Sequence, residues 1–181
     1  VNIKPTAEEI ADITLMVAKE VRNFNIEPRI AMLSYSNFGS SDTEEAKMMA
    51  EATKIVKQRN PSLIVDGEMQ GMLAFNKDIL RENYPFSDLV DVDVNVLIFP
   101  NLTAGNVAYH LLKEIGGVDI IGPILLGLKK PVNVLQLGSG VRNIINMATV
   151  AVVDAQLKSR VDTETEVQRS SWWKRLKKRK K

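Results

Sequence analysis

Apolar positions along this chain follow two rhythms. After Pro5 they recur at Ile10, Ile13, Val17 and Val21, the spacing of one face of a helix. Thr6 and Glu9 bracket its start as a capping box, and Asn25 and Pro28 close it. Arg29–Ser34 instead holds a short unbroken apolar run, Ile30–Leu33, the mark of a strand buried on both faces. The pattern then repeats. Ser34–Ser41 is a hydroxyl-rich turn, 42–59 a second helix, Ser62–Val65 a second buried strand, and Asp66-Gly67-Glu68 a turn. A helix is predicted over about 70–81, a polar connection holding Pro85 over 82–93, and a third strand over Asn95–Phe99. Thr103 is the predicted cap of a helix that stops at Gly116-Gly117. Two further short strands are predicted at Asp119–Ile121 and Val132–Leu135. Arg142–Lys158 is apolar on most faces and is predicted as a long buried helix.

Buried strands alternating with helices predict an α/β fold, a mostly parallel sheet sandwiched by helices. Such sheets bind ligands outside the carboxyl ends of their strands. That rule puts Ser34–Ser41, Asp66–Glu68, Pro100–Asn106 and Gln136–Asn143 on one rim.

Charge sharpens the domain picture. The net charge is +2, but Gln168–Lys181 holds 8 of the 24 basic residues and no acid, so the body carries 16 basic against 22 acidic residues, a net of −6. The basicity belongs to a tail, and nucleic-acid binding by the body is not expected. We read residues 1–158 as the domain and 159–181 as a polar, then basic, disordered tail. Its Trp172-Trp173 and lysine-arginine run suits anionic lipid or RNA less well than a solvated terminus. The chain has no cysteine and one histidine, so thiolate sites are excluded and no metal site is expected. No apolar run nears the roughly 20 residues of a membrane span, and a cytoplasmic protein without membrane contact is expected. The start at Val1 without methionine reads as a cut inside a longer protein.

Three places carry candidate chemistry. Ser34–Ser41 offers hydroxyls and amides at a helix start, a setting for phosphate, although it matches neither a P-loop nor a dinucleotide fingerprint. Asp66 and Glu68 are candidate bases, or acids that cap neighbouring backbone. Gly138-Ser139-Gly140 would let backbone approach a ligand closely. His110, among Ala108, Leu111 and Leu112, reads as structural.

LSYSNFGS (Leu33–Ser40), VDGEMQ (Val65–Gln70), NVLIFPNLTAGNVAYHLL (Asn95–Leu112), IGPILLGLKKPVN (Ile121–Asn133) and the final helix together resemble the phosphate acetyltransferase family. The resemblance implies the second lobe of a two-lobed α/β fold, with much of the first lobe missing. Family enzymes move acetyl between coenzyme A and phosphate. They use a Ser-Arg pair after a Pro-x-Asn-x-Leu segment and an Asp that takes the thiol proton. Here those places hold Gln136, Leu137 and Asn143. An amide is no base near neutral pH, and loss of a positioned base costs about 10²–10⁴-fold. Leu137 offers no fork for phosphate. No catalytic residue is therefore assigned.

SYSNFGS, DGEMQ and the VLQLGSGVRNIINMATVAVVDAQ ending are similar to the branch of the family fused to bacterial malic enzymes. This implies a non-catalytic regulatory and oligomerisation domain that binds acetyl-CoA as an allosteric effector. The acyl-CoA or phosphate contacts are expected at Ser34, Ser36, Asn37, Gly39, Ser40, Asn106, Gly138 and Ser139. The implied partners are an upstream malic enzyme domain in the same chain and further copies of the protein. NADP and a divalent metal, magnesium or manganese, would sit in that upstream domain, and no cofactor in this chain. The alternative is an active phosphate acetyltransferase with Asp66 or Glu68 as base.

Overall fold

A computed structural model of the chain describes residues 2–117, 120–128, 130, 132–135, 139–157 and 159. The chain forms two compact units, Val1–Val118 and Asp119–Lys181. The first has the element order α1 (Ala7–Asn23), β1 (Arg29–Leu33), α2 (Glu44–Arg59), β2 (Ile64–Met69), α3 (Gly71–Phe75), α4 (Lys77–Asn83), β3 (Val96–Ile98) and α5 (Leu102–Ile115). The strands form a parallel sheet in the order β2-β1-β3. The α/β fold class expected from the sequence is the one observed.

Alternation along β1 divides the core. Successive side chains of a strand point to opposite faces. Ile30 and Met32 join Ile10, Ala18, Met49 and Val56 from α1 and α2 on one side of the sheet. Ala31 and Leu33 join Leu73, Leu80 and Leu89 on the other. A central strand covered on both faces has no polar position to spare, which is why RIAML is apolar after its first residue. Each fully buried side chain of this size contributes about 1.5–3 kcal/mol.

Helix starts follow their caps. The Thr6 hydroxyl accepts from the Glu9 amide and the Glu9 carboxylate accepts from the Thr6 amide, the capping box foreseen above. At α5 the cap is two residues earlier than predicted. Asn101 accepts from the Ala104 amide, and Thr103 already lies inside the helix. The helix predicted over 70–81 is two short ones, because the Asn76 side chain accepts from the Ile79 amide and starts α4 afresh.

The larger correction concerns β2. The predicted strand ended at Val65, with Asp66-Gly67-Glu68 as a turn, but these three residues continue the strand to Met69. Their carboxylates are tolerated inside the fold because each meets a donor.

In the second unit, Ile120, Ile121 and 132–135 form no ladder; one antiparallel bridge joins Ile124 and Asn133. Asp119 lies outside the described residues. Residues 141–157 are helical as predicted, yet Val141, Ile145 and Val152 are exposed and only Met147 and Val150 are buried. Among the described residues of this unit, one helix and one bridge are too few elements to cover every face of an apolar helix.

Candidate functional site

The site grows out of a bulge in β2. Pairing with β1 is regular up to Met32 opposite Gly67, and then Leu33 pairs with Met69, so Glu68 is the extra residue. Bulges are rare in parallel pairs and re-aim the bulged side chain. Gly67 makes the distortion possible. Its φ is +141°, and a Cβ there would lie 2.5 Å from the Met32 carbonyl oxygen.

The Glu68 side chain is thereby brought to the Ser34–Ser41 loop. It is 2% exposed. One of its oxygens accepts from the Ser36 hydroxyl at 2.8 Å and from the Gly39 amide at 2.7 Å, while its backbone carbonyl accepts from the Phe38 amide at 2.8 Å. Further bonds tie the loop to the end of β2. The Asn37 side-chain oxygen accepts from the Gln70 amide at 2.7 Å, and the Gln70 side chain donates to the Tyr35 carbonyl at 2.7 Å. Within the loop, Ser36 accepts from the Ser41 amide, Ser34 from the Ser36 amide and Ser40 from the Asn37 amide. Every backbone N–H from Ser36 to Ser41 has a partner inside the chain.

Asp66 points to a different neighbourhood. It pairs with Lys57 at 2.7 Å and accepts from the Asp88 amide at 3.0 Å, and Lys57 also reaches the Asp88 carboxylate at 2.9 Å. Burial pulls the Lys57 ammonium down, but its hydrogen bonds to Asp66 and Asp88 outweigh this and hold its pKa above the ordinary lysine value. An open depression of about 400 Å³, lined by Thr53, Lys57, Asp66 and Gly67, lies on this side.

Of the residues expected to meet a ligand, Ser34, Ser36, Asn37, Gly39 and Ser40 are gathered into one loop. Gly39 and Ser40 face solvent, whereas Ser36 is 1% exposed with its hydroxyl committed to Glu68. Asn106 is exposed on α5. Ser139 and Asn143 belong to the second unit, Asn143 on the 141–157 helix. Gln136, Leu137 and Gly138 lie outside the described residues, as does the tail over 160–181. His110 is exposed on α5, with its ring edge-on to Tyr109 at 5.1 Å. Among the described residues no cluster of three or more His, Cys, Asp or Glu side chains is placed to hold a metal ion. No described helix is long and apolar enough to cross a membrane.

Sequence reasoning missed that Glu68 and the loop form one unit. The acid and its donors lie 32 and 29 residues apart on different elements, and no local pattern in the sequence aligns them.

Comparison with known proteins agrees with this architecture. The profile of the phosphate acetyl/butaryl transferase family matches residues 1–152. The NADP-dependent malic enzyme of Haemophilus influenzae is 49% identical over 156 residues, covering 86% of this chain and 20% of its own length. The phosphate acetyltransferase of Bacillus subtilis is 38% identical, covering 86% of this chain and 48% of its own. A phosphotransacetylase from Streptococcus pyogenes superimposes with a TM-score of 0.79 at 40% identity, over 86% of this chain and 47% of that one. The chain thus spans about a fifth of the Haemophilus influenzae malic enzyme and about half of the Bacillus subtilis and Streptococcus pyogenes proteins. With this match over most of its length, the chain belongs to the phosphate acetyl/butaryl transferase family.

Proposed function

We propose that this chain is a regulatory and assembly domain that binds acetyl-CoA and acts on a malic enzyme in the same polypeptide. The observation that carries the reading is Gln136, Leu137 and Asn143 at the places where the family's transferases need Ser, Arg and Asp. A site without base or guanidinium loses the means to transfer the acyl group, so any acyl thioester held there would serve as a signal and not as a substrate. Similarity to a malic enzyme over a fifth of that protein's length supports a domain within a larger chain. NADP and a divalent metal would then bind outside this sequence. The exposed Val141, Ile144, Ile145 and Val152 share one face of the 141–157 helix and support self-association, since a contiguous apolar helix face left in water is covered when copies assemble.

The test uses the full-length protein that carries this sequence. Malate-dependent NADP reduction should fall on adding acetyl-CoA, and for allostery acetyl-CoA must bind one state better than another. Ser40→Trp on the exposed loop should weaken the inhibition. Malate turnover indifferent to acetyl-CoA sinks the sensor role, and no malate turnover sinks the host assignment.

A second reading, active acetyl transfer, is favoured by the Bacillus subtilis relative. It predicts acetyl-CoA from acetyl phosphate and coenzyme A. Asp66 and Glu68 are poor replacement bases, since both are buried and already hold protein donors.

A further inference from the structure

A loop of small residues before a helix usually offers its amides to an anion. This one has been filled from within. We propose that the Glu68 carboxylate is the resident anion of the Ser34–Ser41 loop, so that the loop turns away free phosphate and receives the uncharged, amide-bearing part of an acyl thioester. The second half of this statement rests on the acetyl-CoA reading above; the first half stands without it.

Three observations carry it. Glu68 is buried and takes the Ser36 hydroxyl and the Gly39 amide, the two donors that converge at the loop's centre. The remaining amides from Ser36 to Ser41 are also spent, so no set of N–H groups is left to cradle a phosphate. The outer surface is acidic where a phosphate site would be basic. Asp42, Glu44 and Glu45 surround the start of α2, and the nearby Lys47 is paired with Asp42 at 2.7 Å. What faces outward is a group of neutral hydroxyls, Tyr35, Ser41 and Thr43, within hydrogen-bond reach of one another. Hydroxyls both donate and accept, which suits amide and thioester groups.

Hydrogen exchange of the Gly39 and Ser41 amides in the full-length protein that carries this sequence tests the proposal. Glu68→Ala empties the nest and should speed exchange about tenfold or more. Acetate, formate or inorganic phosphate should then restore protection, each being an anion that fits the vacated donors. Glu68→Gln keeps an acceptor oxygen and should stay within about twofold of the parent. Glu68→Ser, which also empties the nest but keeps a polar side chain, is the second variant if Glu68→Ala does not fold, and it should show the same faster exchange and the same rescue. In the unaltered chain, millimolar inorganic phosphate should leave the loop unchanged. Phosphate protection of the unaltered loop overturns the proposal, as does wild-type exchange in Glu68→Ala or a failure of all three anions to restore it. For the ligand half, S-acetylpantetheine should slow exchange in the unaltered loop and adenosine 3′,5′-bisphosphate should not; the reverse overturns that half. If acetyl-CoA itself has no effect, the functional reading fails while the resident anion is judged on the anion arm alone.

Discussion

Gly67 is the residue on which the loop's geometry turns. Its backbone sits at a φ that side-chain-bearing residues rarely adopt, and the Met32 carbonyl occupies the space a Cβ would need. Gly67→Ala should therefore cost about 2–5 kcal/mol, combining backbone strain with overpacking. Gly71→Ala is the control, since nothing lies within 4 Å of the added carbon and α3 gains a better helix former. Urea unfolding of both variants checks this; equal midpoints would show that β2 moves to accept the methyl. Ser36→Ala acts by another route. It removes one of two donors to a buried carboxylate and should cost about 1–3 kcal/mol in the same measurement.

At the scale of elements, the helix caps separate what the sequence tells from what it hides. Asn101 and Thr103 are both good cap residues by type, and only the direction of the chain after β3 decides between them. Asn101→Ala should cost about 1 kcal/mol, because the Ala104 amide loses its acceptor and the bond to Glu45 goes with it. Thr103→Ala should stay within about 0.5 kcal/mol. Thermal unfolding of the pair checks the assignment, and the opposite order would return the cap to Thr103. The capping box at Thr6 was legible because both of its members lie within one turn. So were β1 and the core faces of α1 and α2, where period and composition agree. The continuation of β2 through Asp66 and Glu68 was not legible. Two acids beside a glycine resemble a solvated turn until Lys57 and Ser36, from elements 9 and 32 residues away in sequence, are placed against them. The loop at 34–41 was found as a candidate from its hydroxyls, but the direction of its donors was not, because the acid that consumes them comes from another strand. The strands expected at 119–121 and 132–135 are missing at the described residues 120, 121 and 132–135 for a different reason: short apolar runs next to Gly122-Pro123 and Pro131 fit irregular chain as well as strand.

For the first unit as a whole, Lys57 adds a charged joint between parts that the core already brings together. Its ammonium leaves α2, grips Asp66 on β2, and holds Asp88 in the connection between α4 and β3. The pairing raises its pKa above the unfolded value near 10.4. A cation whose folded pKa is raised stabilises the fold fully below the unfolded value and loses that contribution as pH climbs through the folded one. The unit should thus lose stability at alkaline pH, beginning near the ordinary lysine range, and not because of Lys57 at neutral or acid pH. Lys57→Met keeps the buried stem and removes the charge. It should be less stable than the parent at pH 8, and the gap between the two should close as pH rises through the lysine range. Urea midpoints of both chains from pH 8 to about pH 11.5 measure this directly. Equal midpoints for the two chains at every pH would mean that Lys57 serves through its methylenes, which Met retains, and that the joint between α2, β2 and the 84–93 connection is made by Asp66 accepting the Asp88 amide. In that case Asp66→Asn, which keeps an acceptor for that amide, should be as stable as the parent; if the ion pair is the joint, it should fall with Lys57→Met.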